Sequence, residues 1–315
     1  MGTTSKNLFG STQCGEGIID VLLSGEQDDG LDQQKGRITY RRAAEGIYGS
    51  MQSLITPRED GKLDGNLIEK ITLSLYREMF EFISEIPGFQ FVRIWNYVPL
   101  IVKNMDESAP DVEGYRCFNG GRYKAFQEQY GEDMQNWNIP AASAVGAPDN
   151  TLSIDFFASD GSSLFFENKV QIPAYQYSEK YGKLPPVFTR GAICELKDET
   201  LLLISGTASV VKEDTLFEDD LSGQIRQTFE NINTLTNRSN LQLYGSNYDF
   251  GMEDLVLLRV YYKNHSDREL IESEIKKTVT TDCRISYVHT DICRDKLVIE
   301  IEGIYRQKRD LKHQC

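Results

Sequence analysis

The chain has 315 residues, 40% of them hydrophobic and 26% charged, which is enough for a full core or for two packed domains of about 150 residues each. Its formal net charge of −14 argues against nucleic-acid binding, because phosphate recognition depends on clustered Lys and Arg. No apolar run nears the roughly 20 residues that span a bilayer. Met1-Gly-Thr-Thr-Ser-Lys6 lacks the apolar core of a signal peptide, and Lys6 stands where myristoylation wants Ser or Thr. The expectation is a soluble cytoplasmic protein. Cysteines at 14, 117, 194, 283, 293 and 315 form no Cys-x-x-Cys pair, and histidines at 265, 289 and 313 show no ligand spacing. Free thiols and no metal site are expected.

The first sixty residues are polar and rich in Gly, Asp and Gln, with 28–36 the clearest loop signal. Leu67, Ile71, Leu75, Met79, Phe82 and Ile86 recur at helical spacing, which predicts a helix over 67–86 stopped by Pro87-Gly88. A strand over 89–99, a short helix over 122–130 and a strand over 151–158 follow. In the second half the pattern predicts a strand over 201–211 and a helix over 221–236 with Ile225, Phe229, Ile232 and Leu235 on one face. It then predicts a strand over 254–262, a helix over 266–279 capped by Ser266 or Asp267, and strands over 284–291 and 296–305. The basic run 306–313 reads as a solvated tail.

The order helix, strand, helix, strand, strand thus appears twice. It predicts an α+β chain of two similar halves, 1–160 with a polar N-terminal extension and 161–315, with a cleft between them. The terminal run Lys296-Leu-Val-Ile-Glu-Ile-Glu-Gly303 is the most telling segment, because alternation puts Glu300 and Glu302 on one face of an otherwise apolar strand. A carboxyl among apolar neighbours loses hydration, which raises its pKa and suits it to general acid chemistry. The ordinary alternative is a carboxylate paired with Arg or a backbone donor.

Several words occur in a telling order: Arg93-Ile-Trp-Asn-Tyr-Val-Pro99, Tyr115-Arg116 with Gly121-Arg122, Pro140-Ala-Ala-Ser-Ala-Val-Gly146, Ala174-Tyr-Gln-Tyr-Ser-Glu-Lys-Tyr-Gly182, Phe188-Thr-Arg190 and Ser205-Gly-Thr-Ala-Ser-Val210. Over about residues 90 to 304 the chain resembles the chorismatase family, enzymes that remove the enolpyruvyl group of chorismate as pyruvate. Its second half also resembles the reactive-intermediate deaminase (Rid) superfamily. The resemblance implies two Rid-like, chorismate-mutase-like halves with mixed sheets covered by helices, and an active site in the C-terminal half. It implies no metal or organic cofactor, and a small carboxylate-bearing substrate as the partner. By resemblance Glu300 transfers the proton, with Glu302 the second choice.

Arg190 matches a family arginine and is the first candidate for carboxylate binding, since a guanidinium meets carboxylate oxygens in pairs. Tyr175 and Tyr177 are candidate hydroxyl donors, with core packing the alternative. Gly206, Thr207 and Ala208 form a small-residue turn that lets a ligand approach the backbone. Ala208 favours simple hydrolysis by resemblance. Arg284 matches the Rid arginine that holds a carboxylate, with an acidic neighbour as its alternative partner. His289 reads either as a proton relay or as a hydrogen-bonded core histidine.

The family tends to have Asn-Pro-Arg-Gln where this chain has Asn168-Lys-Val-Gln171, and Ala-Tyr-Arg-Tyr-Pro where it has Ala174-Tyr-Gln-Tyr-Ser178, so two arginines are absent. Lys169 is the candidate substitute, as a point charge. Two rival readings follow: a diverged enzyme acting on another carboxylate-bearing intermediate, and a non-catalytic small-molecule binder. The halves leave both a monomer and a homo-oligomer open.

Overall fold

The structure, a computed structural model, describes residues 16–23, 32–105 and 112–309. A short helix α1 (Glu16–Leu22) precedes β1 (Gln33–Lys35), β2 (Ile38–Arg42), β3 (Gly46–Leu54), α2 (Gly65–Ser84), β4 (Gln90–Val98), α3 (Gly114–Tyr130), β5 (Ala141–Gly146) and β6 (Thr151–Ser159). The same order then returns as β7 (Ser162–Phe166), β8 (Gly191–Glu195), β9 (Glu199–Thr207), the small hairpin β10 (Val210–Val211) and β11 (Asp214–Thr215), α4 (Leu221–Thr236) and α5 (Arg238–Leu241). It closes with β12 (Leu255–Tyr262), α6 (Arg268–Thr278), β13 (Arg284–His289) and β14 (Ile299–Lys308). Two six-stranded sheets result, ordered β1-β2-β3-β6-β4-β5 and β7-β8-β9-β14-β12-β13. In each, only the pair at the late edge is parallel, β4 with β5 and β12 with β13. The α+β architecture of two similar halves is therefore present, strand for strand.

Each sheet has an outer face under helices and an inner face turned to the other sheet. Along β4, Ile94 and Val98 enter the core under α2 and α3, while Val92, Trp95 and Tyr97 enter a core shared by both halves. Along β14, Ile299, Ile301 and Tyr305 pack outward under α4 and α6, so Glu300 and Glu302 face inward. Ile18, Ile19, Leu22 and Leu23 from the α1 segment fill the shared core, and Tyr261 of β12 joins them. The edge strand β5 stitches the halves together: Thr189 N donates to Pro140 O, Gly146 N to Asp291 O and Ala142 N to Ser205 Oγ.

Several expectations need correction. The polar first sixty residues hold β1, β2 and all of β3; residues 28–31 of the expected loop lie outside the described residues. Their alternation is hidden by Gly46 and Gly49, whose missing side chains make room for the Phe157 and Phe156 rings from β6. Helix α3 begins eight residues before the expected 122, because Gly120 and Gly121 allow close approach to α2. A Cβ on Gly121 would meet the Glu69 carbonyl and Thr72. That contact offsets a propensity cost of about 1 kcal/mol per glycine. The strands β5, β7 and β8 also went unread. Helix α6 starts at Arg268, after a 3-10 turn at His265–Asp267. The basic run is not all tail: Arg306 lies in β14, pairs with Glu199 at 3.1 Å and donates to the Val21 carbonyl. Residues 310–313 lie outside the described residues, as do Cys14 and Cys315. Cys117, Cys194, Cys283 and Cys293 are free thiols. Among the described residues no helix is long and apolar enough to cross a membrane.

Candidate active site

The two same-face carboxylates of β14 have opposite surroundings. Glu302 is saturated. Its Oε2 accepts from Arg93 Nη2 at 2.7 Å and Ser143 Oγ at 2.5 Å, and its Oε1 from Trp95 Nε1 at 2.9 Å and Tyr261 OH at 3.1 Å. Arg259 Nη1 adds a contact at 3.5 Å. The register explains this meeting: Arg93 and Trp95 share the inner face of β4, and Arg259 and Tyr261 that of β12, where Arg259 is opposite Glu302 and Tyr261 opposite Glu300. A buried carboxyl group held by two guanidiniums and three neutral donors is fixed in place.

Glu300 has no such set. It is 3% exposed, and among the described residues its one hydrogen-bond partner is the Cys293 thiol, which donates to Oε2 at 3.9 Å. Burial, then the charge of Glu302, push the Glu300 carboxyl up to about 8, against the pull of Arg93 and Arg190. The carboxyl therefore carries a proton at neutral pH. Burial, then the Glu300 charge, lift the Cys293 thiol to about 12, so it too stays protonated.

Glu300 lines a cavity of roughly 370 Å³ between the two halves, a volume suited to a small ligand. The first half supplies Tyr115, Arg122 and Ser143; the second supplies Tyr177, Arg190, Gly206, Ala208, Cys293, Arg294 and Glu300. Both halves thus line the cavity, with Glu300 and Arg190 contributed by the C-terminal half. Arg122, 1% exposed on α3, donates to Asn119 Oδ1 at 2.9 Å and lies over Phe118, while its Nε has no hydrogen bond. Arg190 donates from Nη2 to Tyr177 OH at 2.5 Å and lies 5.0 Å from the Phe188 ring centroid. Two buried guanidiniums thus line one cavity, each with donor capacity to spare. Arg294 stacks 3.9 Å over the Tyr181 ring and donates to Glu213 O at 2.7 Å, which pins the 3-10 turn Glu179–Tyr181 at the mouth. Lys180 and Lys296 stand at the exposed rim.

Gly206 is required where it stands. A Cβ there would overlap Glu300 Oε1 and crowd Ser143 Oγ, and its backbone N donates to Ser143 Oγ at 2.8 Å. Gly206→Ala therefore pushes the acid out of place. The expected result is a loss in kcat of about a hundredfold with KM little changed, measured by steady-state kinetics.

Of the residues singled out from sequence, Glu300, Arg190, Tyr177, Gly206 and Ala208 come together in the cavity. Tyr175 packs against the core of the first half, and burial lifts its phenol to about 12. Thr207, between Gly206 and Ala208, points to the opposite side and donates to Ser205 O. Lys169 extends outward to Ser239 Oγ at 2.8 Å, Arg284 pairs with Asp20 at the surface at 3.7 Å, and His289 is exposed against the Lys263 carbonyl. None of these five lines the cavity, because each is set by its strand face or loop direction rather than by nearness in sequence. Arg122, Tyr115, Ser143, Cys293 and Arg294 were missed as site residues. The signal for Arg122 was present, since Gly121-Arg122 stood among the unusual words; a charged residue beside a tight helix contact has to turn inward or be solvated.

A buried carboxyl raised toward neutrality and two buried guanidiniums thus line one small cavity between the halves. The profile described as "Chorismatase FkbO/Hyg5-like, N-terminal" matches residues 25–158. The 3-hydroxybenzoate synthase of Streptomyces hygroscopicus is 31% identical over 238 residues, covering 74% of this chain and 68% of that one. A chorismatase of Streptomyces rapamycinicus is 29% identical over 236 residues, covering 74% and 69%. A chorismatase crystal structure superposes with a TM-score of 0.76 at 26% identity, over 87% of this chain and 78% of that one. The chain belongs to the chorismatase family.

Proposed function

We propose that the protein removes the enolpyruvyl group of chorismate as pyruvate, with Glu300 as general acid. The observation that carries this reading is the protonated Glu300 carboxyl in a cavity that also presents Arg122 and Arg190. An enol ether is unreactive until its terminal methylene is protonated. Glu300 gives that carbon its proton, the ether carbon becomes oxocarbenium-like, and water adds to it. The attacking water loses a proton, which restores Glu300; the resulting hemiketal collapses as the bond between the former ether carbon and the ring-bound oxygen breaks, that oxygen takes the hemiketal hydroxyl proton and stays on the ring as a hydroxyl, and pyruvate leaves. The neighbouring Glu302, fixed by Arg93, Ser143, Trp95 and Tyr261, braces the wall beside Glu300.

Arg190 and Arg122 bind the substrate carboxylates, and Tyr177 OH, already accepting from Arg190, donates its own proton toward the substrate. The two absent family arginines do not weaken this reading. Neither Val170 nor Gln176, the residues at those two positions, lines the cavity. Replacing either guanidinium should act on binding: Arg190→Lys or Arg122→Lys keeps the charge but loses the planar fork, and raises KM for chorismate by about tenfold to a hundredfold.

The test is pyruvate release from chorismate, followed through lactate dehydrogenase, with Glu300→Gln alongside. Pyruvate from the wild type and not from the variant supports the reading; no pyruvate from folded wild type overturns it. NMR of the same mixture distinguishes a dihydroxycyclohexadiene carboxylate from a hydroxybenzoate.

A further inference from the structure

Beside Arg190, and not among the residues that line the cavity, is a second buried acid that the proposed reaction does not use. Glu167 directly follows β7, and Arg190 directly precedes β8; Arg190 N donates to Phe166 O at 3.1 Å, so the two side chains start from adjacent edges of paired strands. Glu167 is 6% exposed, and neither carboxylate oxygen makes a hydrogen bond. Its nearest charge is Arg190 Nε, which also lacks a hydrogen bond and lies 3.9 Å away. The other titratable groups facing Glu167 are the phenols of Tyr175, from the 3-10 turn Ala174–Gln176, and Tyr244, from the 3-10 turn Gln242–Tyr244. Lys169, two residues on, points out to Ser239 and brings no charge here.

A buried carboxyl without hydrogen bonds is costly unless it is paired or neutral. One guanidinium at 3.9 Å is an incomplete partner, and Arg190 is the same group that the substrate carboxylate requires. We propose that Glu167 is a positioning residue that shares Arg190 with the substrate: at alkaline pH it ion-pairs with the guanidinium in the free enzyme and takes up one proton from solvent as a substrate carboxylate binds. Burial lifts the Glu167 carboxyl to about 8 even with Arg190 beside it. A second carboxylate on Arg190 adds negative charge nearby and favours the neutral acid further. By linkage, binding then consumes a proton above that pH, and affinity falls as pH rises.

The inference rests on Arg190 holding a substrate carboxylate, and its test separates the two ideas. Chorismate binding to Glu300→Gln, which removes the other carboxyl raised into this range, is measured calorimetrically from about pH 7 to about pH 9 in buffers of different ionisation enthalpy. The expected result is proton uptake that approaches one per site at the alkaline end, with Kd weakening toward about tenfold per pH unit above pH 8. Adding Glu167→Gln should abolish the uptake and flatten the Kd profile. A purely structural Glu167 would leave the uptake unexplained. Tight binding of chorismate by Glu300→Gln with no proton uptake overturns the sharing and leaves the carboxylate reading intact. Uptake that persists undiminished in the folded double variant also overturns the sharing. Absence of binding overturns the carboxylate reading and this inference with it. The single-variant measurement decides the matter even where the double variant fails to fold.

Discussion

Glu300→Gln lowers pyruvate release from chorismate by about 10²–10⁴-fold while leaving the protein folded. The amide keeps the shape of the carboxyl and has no proton to give to carbon. The wild-type profile follows from the same geometry: Glu300 titrates near 8, so kcat/KM holds on the acid side and falls as pH rises through about 8. The stability effect has a definite sign. A carboxyl whose folded pKa lies above its unfolded value stabilises the fold fully below the unfolded pKa, and that contribution is lost as pH rises through the folded one. Glu300→Gln removes this dependence, so its melting temperature should equal or exceed that of the wild type at pH 8 and above. Activity and stability thus move in opposite directions in one variant. A melting temperature well below that of the wild type would mean that Glu300 is structural, and the assignment of the acid would fail.

How Glu300 came to be legible, and how other residues did not, has a physical reason. The alternation of β14 placed both acids on one face of an apolar strand, and that is a local property which the sequence displays directly. What separates them is not local. The partners that saturate Glu302, Arg93 and Trp95, lie 209 and 207 residues earlier in the chain, and no periodicity announces that two strands so distant will meet face to face. The same limit hid the first half's share of the site, Arg122 and Ser143, because the cavity exists only once the two sheets are stacked. Thr207 was avoidable: if Gly206 and Ala208 point into the cavity, the residue between them in an extended segment points away. Lys169, Arg284 and His289 were chosen for charge or by resemblance, and a surface charge satisfies its hydration wherever the strand leaves it. The helices read best where an apolar stripe was unbroken, as in α2 and α4. They read worst where glycines served close packing, as in α3.

Glu302→Gln is the complementary experiment, and its large effect is on stability. Removing this charge leaves Arg93 and Arg259 buried between the sheets, 1% and 3% exposed, without their shared anion. Breaking a buried pair by deleting one partner costs about 3–5 kcal/mol. An amide makes the loss worse in detail: its NH₂ would face one of the two guanidiniums or the Trp95 N–H, donor against donor. The expected result is a fall in urea midpoint at constant m-value, with the sheet interface the part that loosens. Activity should suffer too, through Ser143, which bridges Glu302 to the backbone of Gly206 and so to the wall against which Glu300 rests. A Glu302→Gln protein as stable as the wild type would show that the network is not what joins the halves. The weight would then fall on the apolar contacts of Trp95, Tyr97, Tyr261 and the α1 segment, and a Trp95→Ala variant would carry the larger loss instead.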